Sequence, residues 1–474
     1  MTLIEKIRMS GVSLASLVML AGCASVNFEQ SLANTNREAN SFTQGQLSLA
    51  QTPDQRIEMA RLAQDILSKP VAQGDAVRLA LLNSPGVQTL LAQNWADATR
   101  AAQTGRIANP LLTLDRLRRV DELELGRLLS FGLLDLLSLP QRMQISHGLM
   151  AQQQLSLTSQ VIDQITQVRQ AWVKAVAAQQ SLNYAAQVND AAQVSSELAK
   201  RMQAAGNFNK LQRARQQAFY ADAATQWAGA QHAASSKREE LVRLLGLSES
   251  QADALVLPER LPDLPSLPRS TSVVSQLASK GRLDIRLAHA EFETQTKAQG
   301  LKLLTSLTDI ELGVRRDTVF DNAAGTSNAR RGYEISVRLP IFDWGGHQRD
   351  AMNAQTLAAG YRLEDSLRKA SSNLRESYSA YRTAFDLSKH YRDEVVPLRK
   401  TISEENLLRY NGMLIGVFEL LVDTRDQINT VRSAIAAEQQ FWLADAALQA
   451  SIMGKPTPTA FDPIASDGGR DAKH

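Results

Sequence analysis

Glu419, Asp423 and Asp426 follow one another at i, i+4 and i+7, a spacing that puts three carboxylates on one face of a helix. Symmetric repetition would turn them into rings that select cations or close an aperture. A solvated polar face is the competing reading. Arg201, Arg213 and Arg215 lie where they could pair with acids on another helix, but surface pairs of that kind contribute little. The six histidines, His147, His232, His289, His347, His390 and His474, are scattered, and none stands at helical ligand spacing from another. No HExxH, GxSxG or GxxxxGK[ST] occurs. No catalytic constellation can be assembled, so the expectation is a protein that is not an enzyme and has no cofactor or metal site.

The chain has 474 residues and one cysteine, which excludes an intramolecular disulfide and any multi-cysteine zinc or iron–sulfur site. The surroundings of Cys23 give it another use. Met1–Arg8 carries Lys6 and Arg8, and Gly11–Ala21 is an apolar run too short to span a bilayer stably, as in a secretory signal. It ends in Leu20-Ala21-Gly22-Cys23, which resembles the bacterial lipoprotein box. That resemblance implies cleavage after Gly22 and acylation of Cys23, with two or three acyl chains giving a stable anchor. Ala24 in place of an aspartate favours the outer membrane by the same resemblance. An ordinary signal peptide with a chance cysteine is the alternative. No other run reaches 18 apolar residues, so no transmembrane helix is expected, although strands could still cross a membrane. With 52 basic and 49 acidic residues, nothing suggests a nucleic-acid partner.

The elements that must position these residues come in two copies. Asn109-Pro110-Leu111-Leu112-Thr113-Leu114 precedes a stretch ending at Leu139-Pro140. A long helical pattern, a break at Gly206-Asn207 and a second helical pattern to Leu245-Gly246 follow. Thr308–Leu312 likewise precedes a stretch ending at Leu339-Pro340, then a long helix, a break at Tyr410-Asn411-Gly412 and a helix to Met453-Gly454. The expected organisation is a signal over 1–22, an N-terminal extension with a short helix near Asp54–Ser68 over 23–74, repeats over 75–257 and 269–454, a linker over 258–268, and a flexible tail over 455–474. The linker carries Pro258, Pro262, Pro265 and Pro268, a density incompatible with helix or central strand.

Each repeat predicts a short helix, two strands, a long helix and a medium one. In the second repeat Ile310, Leu312 and Val314 alternate with polar residues, as do Tyr333, Ile335, Val337 and Leu339, with Asp321–Arg331 as the loop between. In the first, Leu112 and Leu114 start one strand, and Phe131, Leu133 and Leu137 are assigned to another by analogy with the second repeat, although periodicity alone reads Leu128–Leu139 equally well as helix. The first long helix, Gln141–Ala205, carries a narrow stripe (Val161, Ile165, Val168, Trp172, Val176, then Val194, Leu198, Met202) that needs lateral partners. Gly86–Ile107 and Lys210–Leu245 together match its length. Leu367, Leu374, Tyr378, Tyr381 and Phe385 repeat the pattern in the second half. Trp95, Trp172, Trp227 and Trp442 are assigned to packing, and Trp344 to a membrane interface. Pro397 should bend the second long helix near Asp393. Four strands cannot close a membrane barrel, so a barrel would need several copies of the chain.

Gly74-Asp75-Ala76-Val77 with Leu79-Ala80-Leu81, Asn109-Pro110, Leu339-Pro340-Ile341-Phe342-Asp343-Trp344-Gly345, Val395-Val396-Pro397-Leu398 and the Tyr410/Gly412 turn resemble the TolC-like outer-membrane efflux proteins. The resemblance spans roughly Gln73–Met453. It implies a mainly α fold with a membrane β-barrel part: strand pairs plus long helical hairpins, duplicated, closing as a homotrimer into a 12-stranded barrel on a periplasmic helical tunnel. It implies passive export with a periplasmic adaptor and an inner-membrane transporter, and contact with outer-membrane lipid. Pro140, Pro340, Gly345 and Gly346 then mark strand-to-helix turns. Gly206, Asn207, Tyr410 and Gly412 mark hairpin tips that dock the adaptor, beside the plainer role of glycine in stopping a helix. Glu419, Asp423 and Asp426 become a possible aperture ring. A coiled-coil adaptor or structural lipoprotein without a pore is the alternative, set back by the twofold repeat of strands and hairpins.

Overall fold

The computed structural model describes residues 27–457 apart from 44, 280, 306–308 and 340. Cys23, its leader, Pro340 and the tail from 458 lie outside the described residues. The chain runs α1 (Phe28–Thr43), α2 (Pro53–Leu67), α3 (Gln73–Asn83), α4 (Pro85–Gln103), β1 (Leu111–Arg119), β2 (Glu122–Gly132), α5 (Leu133–Leu137), α6 (Leu139–Ala204), α7 (Lys210–Leu245) and α8 (Glu249–Ala254). Residues 255–270 form neither helix nor strand. Then follow α9 (Thr271–Ser279), α10 (Leu283–Thr305), β3 (Ile310–Asp321), β4 (Thr326–Val337), α11 (Gly346–His390), a π turn (Tyr391–Val395), α12 (Val396–Asn411) and α13 (Val417–Ile452). The N-terminal extension thus holds α1 as well as the expected α2. Thr52 starts α2 with a capping box: its hydroxyl accepts from Gln55 N, and Gln55 Oε1 accepts from Thr52 N.

Two compact units are built from interleaved segments. Unit one takes residues up to 31, 93–157 and 285–368; unit two takes 32–92, 158–284 and 369 onward. Unit one holds an antiparallel sheet in the order β1-β2-β3-β4, so the two repeats meet where β2 pairs with β3. Helix α6 approaches α10 closely at Gly148, where a Cβ would stand 2.7 Å from Thr294 Oγ1. Asn94 on α4 donates to Gln153 O at 2.9 Å, and Ser146 Oγ donates to Ala101 O at 3.0 Å.

Three expectations about this region are corrected. Leu133 and Leu137 are not strand residues: β2 ends at Gly132 and the leucine run turns into α5. Arg142 fixes that turn, donating to Asp135 Oδ1 at 2.7 Å and to Thr104 O at 3.1 Å. Pro140 accordingly sits in the first turn of α6 rather than between strand and helix. There its missing N–H costs nothing. The loop expected over Asp321–Arg331 is mostly strand, because backbone pairing with β3 continues where the apolar alternation stops. Only 322–325 turn, with Asp321 Oδ1 accepting from Ala323 N and Ala324 N and Gly325 at φ 66°.

Unit two is helical. Tyr381, Ala384 and Phe385 of α11 pack on Phe441, Ala444, Leu448 and Ile452 of α13, with Leu264 and Val274 closing the cluster. The Tyr381–Phe441 and Phe385–Phe441 ring centroids are 5.6 and 5.7 Å apart. Helix α7 ends at Gly246 (φ 68°), where a Cβ would lie 2.3 Å from Pro85 Cδ. The effect of Pro397 is taken up by the π turn: Val396 N donates to Tyr391 O. Widening the helix by one residue accommodates a proline that cannot donate. The apolar stripes are only partly covered. Trp172, Tyr381 and Phe385 are buried, whereas Val194, Leu198, Leu367 and Trp227 remain exposed.

Candidate functional site

The sheet separates its side chains by chemistry. Register places Leu112, Leu129, Val314 and Tyr333 side by side on one face. Phe131, Leu312 and Ile335 form the next row toward the helices, and Ile310 and Val337 the one after. On this face Leu112, Leu129, Val314, Tyr333 and Ile335 are all exposed. Every acidic residue of the strands (Asp115, Glu122, Glu124, Glu311, Asp317, Asp321 and Glu334) lies on the other face. There Arg315 meets Asp317 at 2.9 Å, Glu334 at 3.7 Å and Asp115 at 3.8 Å. Gly126 and Gly313 make room on that face, since a Cβ at Gly313 would come within 2.6 Å of Leu128 Cδ1. Strands β1 and β4 each have one edge without a partner strand among the described residues.

At the strand-to-helix junction Gly345 adopts φ 70° and donates to Asp343 Oδ1 at 2.8 Å, and Arg349 N bonds to Gly345 O. Gly346 opens α11, and a Cβ there would meet nothing. Ile341, Phe342 and Trp344 beside it are exposed.

The hairpin turns share one geometry. After α6, Asn207 N reaches back to Met202 O at 2.9 Å with Gly206 at φ 80°. After α12, Leu414 N reaches back to Arg409 O at 2.9 Å, but the left-handed residue is Met413 (φ 55°), not Gly412 (φ −81°). Both are Schellman-type stops. Glycine supplies the positive φ only in the first, which corrects the expectation for Gly412. Asn207 is exposed, Tyr410 is half-buried, and Met413 is 93% exposed beside an exposed Leu414.

The three carboxylates of α13 do not share one environment. Glu419 is exposed, Asp426 pairs with Arg399 of α12 at 3.3 Å, and Asp423 is buried with no hydrogen-bond partner for Oδ2. Their common face is therefore turned partly toward the neighbouring arm of the hairpin.

A buried polar network in unit two has no counterpart in the sequence reading. Arg169 lies over the Phe42 ring at 4.4 Å and donates to Phe42 O at 2.5 Å and Gln449 Oε1 at 2.8 Å. Burial lowers its pKa to about 10. Asp445 meets Arg269 at 3.2 Å and accepts from Gln449 at 2.6 Å; burial raises its pKa, opposed chiefly by Arg269. Arg269 N donates to Tyr381 Oη, Tyr378 Oη donates to Arg269 O, and Trp442 Nε1 donates to Pro262 O, so the linker is pinned to the helices. A lone acid inside Phe441–Ala450 was the available signal. Two turns earlier in α13, burial and then the nearby Asp263 raise the Glu438 pKa to about 7, opposed by Arg260 and Arg392. Among the described residues no cluster of three or more His, Cys, Asp or Glu could hold a metal, and no helix is long and apolar enough to cross a membrane.

A duplicated unit of strand pair and hairpin, with its strands joined in one open-edged sheet, can be compared as a whole with solved structures. CusC, described in terms of folding and transmembrane channel formation, matches with a TM-score of 0.66 at 15% identity, covering 83% of this chain and 92% of CusC. The fold is that of the TolC-like outer-membrane channels. The outer membrane protein VceC from Vibrio cholerae matches at 0.66 and 13% identity, covering 84% of this chain and 96% of VceC. The CmeC outer membrane channel of Campylobacter jejuni matches at 0.65 and 14%, covering 85% and 86%. No family model and no curated protein matches the sequence.

Proposed function

We propose that the protein is the outer-membrane channel subunit of a tripartite export system, a passive duct rather than an enzyme. The observation that carries this is the sheet with all its acids on one face, an acid-free face whose helix-proximal rows are apolar, and two open edges. Open edges are untenable in a bilayer, so the sheet must close with copies of itself. Three copies give 12 strands, with the apolar face toward lipid and the acidic face toward a water-filled lumen. Exposed stripe residues such as Val194, Leu198 and Leu367 then find partners between subunits. The fold shared with CusC, VceC and CmeC supports the same reading.

In this arrangement Cys23 carries the lipid anchor. The tips at Gly206, Asn207, Tyr410 and Gly412 dock a periplasmic adaptor, which links the duct to an inner-membrane transporter. Exposed Met413 and Leu414 suit an apolar contact there. Glu419, Asp423 and Asp426 line or brace the aperture, with the Arg399–Asp426 pair holding one hairpin together.

Planar-bilayer recording of the purified oligomer tests the channel reading: discrete ion-conducting openings are expected, and an oligomer that never conducts would refute it. Neutralising Glu419, Asp423 and Asp426 together should change conductance or cation preference; unchanged values would leave them as surface. Cys23→Ser should abolish acylation, read by lipid labelling. Single cysteines beside Gly206 or Gly412 should cross-link to a periplasmic partner, and failure of both would sink the docking assignment.

A further inference from the structure

The apolar face of the sheet carries a second feature. Arg127 pairs in register with Arg316, and Arg316 with Arg331, so three guanidinium-bearing residues stand directly abreast on neighbouring strands. All three are exposed. None has an ion pair among the described residues, in contrast to Arg315 on the opposite face with its three carboxylates. Arg116 and Arg118 lie on the same face of β1, and that face has no Asp or Glu on any strand. Like charges directly opposite one another weaken a sheet unless a counter-charge is supplied. Nothing in the strands supplies it.

We infer that this arginine row binds the phosphate groups of anionic lipid headgroups at one boundary of the membrane. The inference rests on the channel reading, which puts this face toward lipid. Position supports it. On β4 the distance from Arg331 to Val337 is about 20 Å along the strand, and tilt reduces this to about 15 Å along the membrane normal. The exposed apolar run continues past Val337 through Leu339, Ile341, Phe342 and Trp344. Together these approach the ~25 Å apolar band of an outer-membrane barrel. The arginines therefore stand at one edge of the band, with the aromatic Phe342 and Trp344 at the other. Beyond the row the same face becomes mixed: Arg116, Leu125, Thr318 and Ala329 form the next row, and Arg118, Leu123, Phe320 and Ser327 the one after. Charge supports it too. An arginine facing hydrocarbon is costly, whereas a planar guanidinium beside a phosphate makes paired charge-assisted bonds.

The test uses the full chain reconstituted in phosphatidylcholine vesicles. Spin-labelled phosphatidylglycerol and phosphatidylcholine report their relative association with the protein surface. The wild type should select phosphatidylglycerol by roughly fivefold per arginine engaged, and the selectivity should fall with salt. The triple variant Arg127→Gln, Arg316→Gln, Arg331→Gln should approach parity. The triple Arg→Lys variant should keep part of the selectivity, and Arg330→Gln on the other face should keep all of it. Equal selectivity in the wild type and the triple Gln variant overturns the inference. So does selectivity erased by millimolar inorganic phosphate at constant ionic strength, which would mark a site for free anions. Conductance measured on the same vesicles separates the two claims. Conducting variants with unchanged lipid selectivity refute the lipid site alone; a wild type that selects lipid but never conducts refutes the channel reading alone.

Discussion

Replacing Arg169 by methionine removes a buried cation while keeping most of the volume of its stem. Arg169 is 3% exposed, and its guanidinium serves Phe42 O, Gln449 Oε1 and the Phe42 ring. Without it, one buried and one half-buried acceptor lose their donor, at about 1–3 kcal/mol each if left unsatisfied. Loss of the cation–π contact adds about 1 kcal/mol, and Asp445 keeps only Arg269 as a close cation. These contributions overlap, because Gln449 bonds to both Arg169 and Asp445. The expected net cost is about 4 kcal/mol, most of it from the two acceptors left without a donor. Asp445→Asn should cost less, about 2 kcal/mol, because the amide can still accept from a guanidinium. The double variant should fall short of the sum by about 1–2 kcal/mol, as expected for residues in one network. Hydrogen exchange at the backbone amides of Phe441–Leu448 reads the opening free energy of this region without requiring reversible global unfolding. A cost below about 1 kcal/mol for Arg169→Met, or strict additivity in the double variant, would refute the reasoning.

Glu438 has a folded-state pKa of about 7, above its ordinary 4.5. The folded protein therefore holds this proton more tightly than the unfolded chain, and stability declines as pH rises from about 4.5 to about 7. Glu438→Gln should flatten the pH dependence of the unfolding temperature in that window; an unchanged slope assigns it to other groups. Met413→Gly should stabilise the second hairpin tip by about 0.5–1 kcal/mol. It relieves a left-handed strain of about 1–2 kcal/mol and adds some unfolded-state entropy. Slower exchange of the tip amides checks this, and faster exchange would contradict it. Gly246→Ala should cost more than about 2 kcal/mol, since it combines a positive φ with collision against Pro85 and the Ser84 backbone. A melting curve matching the wild type would show that α7 can end without this close approach.

The second half of the chain was more legible than the first because its strands alternate cleanly. Ile310, Leu312 and Val314 announce a half-wet strand, whereas Leu128–Leu139 is leucine-rich at almost every phase. Periodicity cannot divide such a run, and the division at Gly132 depends on Arg142 and Asp135 meeting across the turn. Thr326–Arg331 was invisible as strand because its only reason to be one is the pairing offered by β3. Helix α7 was placed correctly from the break at Gly206-Asn207 and the stop at Gly246, and the structure adds a capping box of Asn209 and Gln212 at its start. At the second tip a glycine stood one position before the residue that takes the left-handed conformation.

The sequence alone determined the duplicated order of helix, strands and hairpin, the proline-rich linker, and a strand count too small to close a barrel. Those features are local: apolar period, caps, breakers and arithmetic. The tertiary structure decided which strands are neighbours, and so that all the acids share one face and three arginines stand abreast on the other. It also decided that buried Arg169 and Asp445 and half-buried Arg269, far apart in the chain, form one network. The physical reason is the same in both cases. The energy of a charge depends on what lies beside it in space, and pairing register and helix packing, not spacing along the chain, set those neighbours.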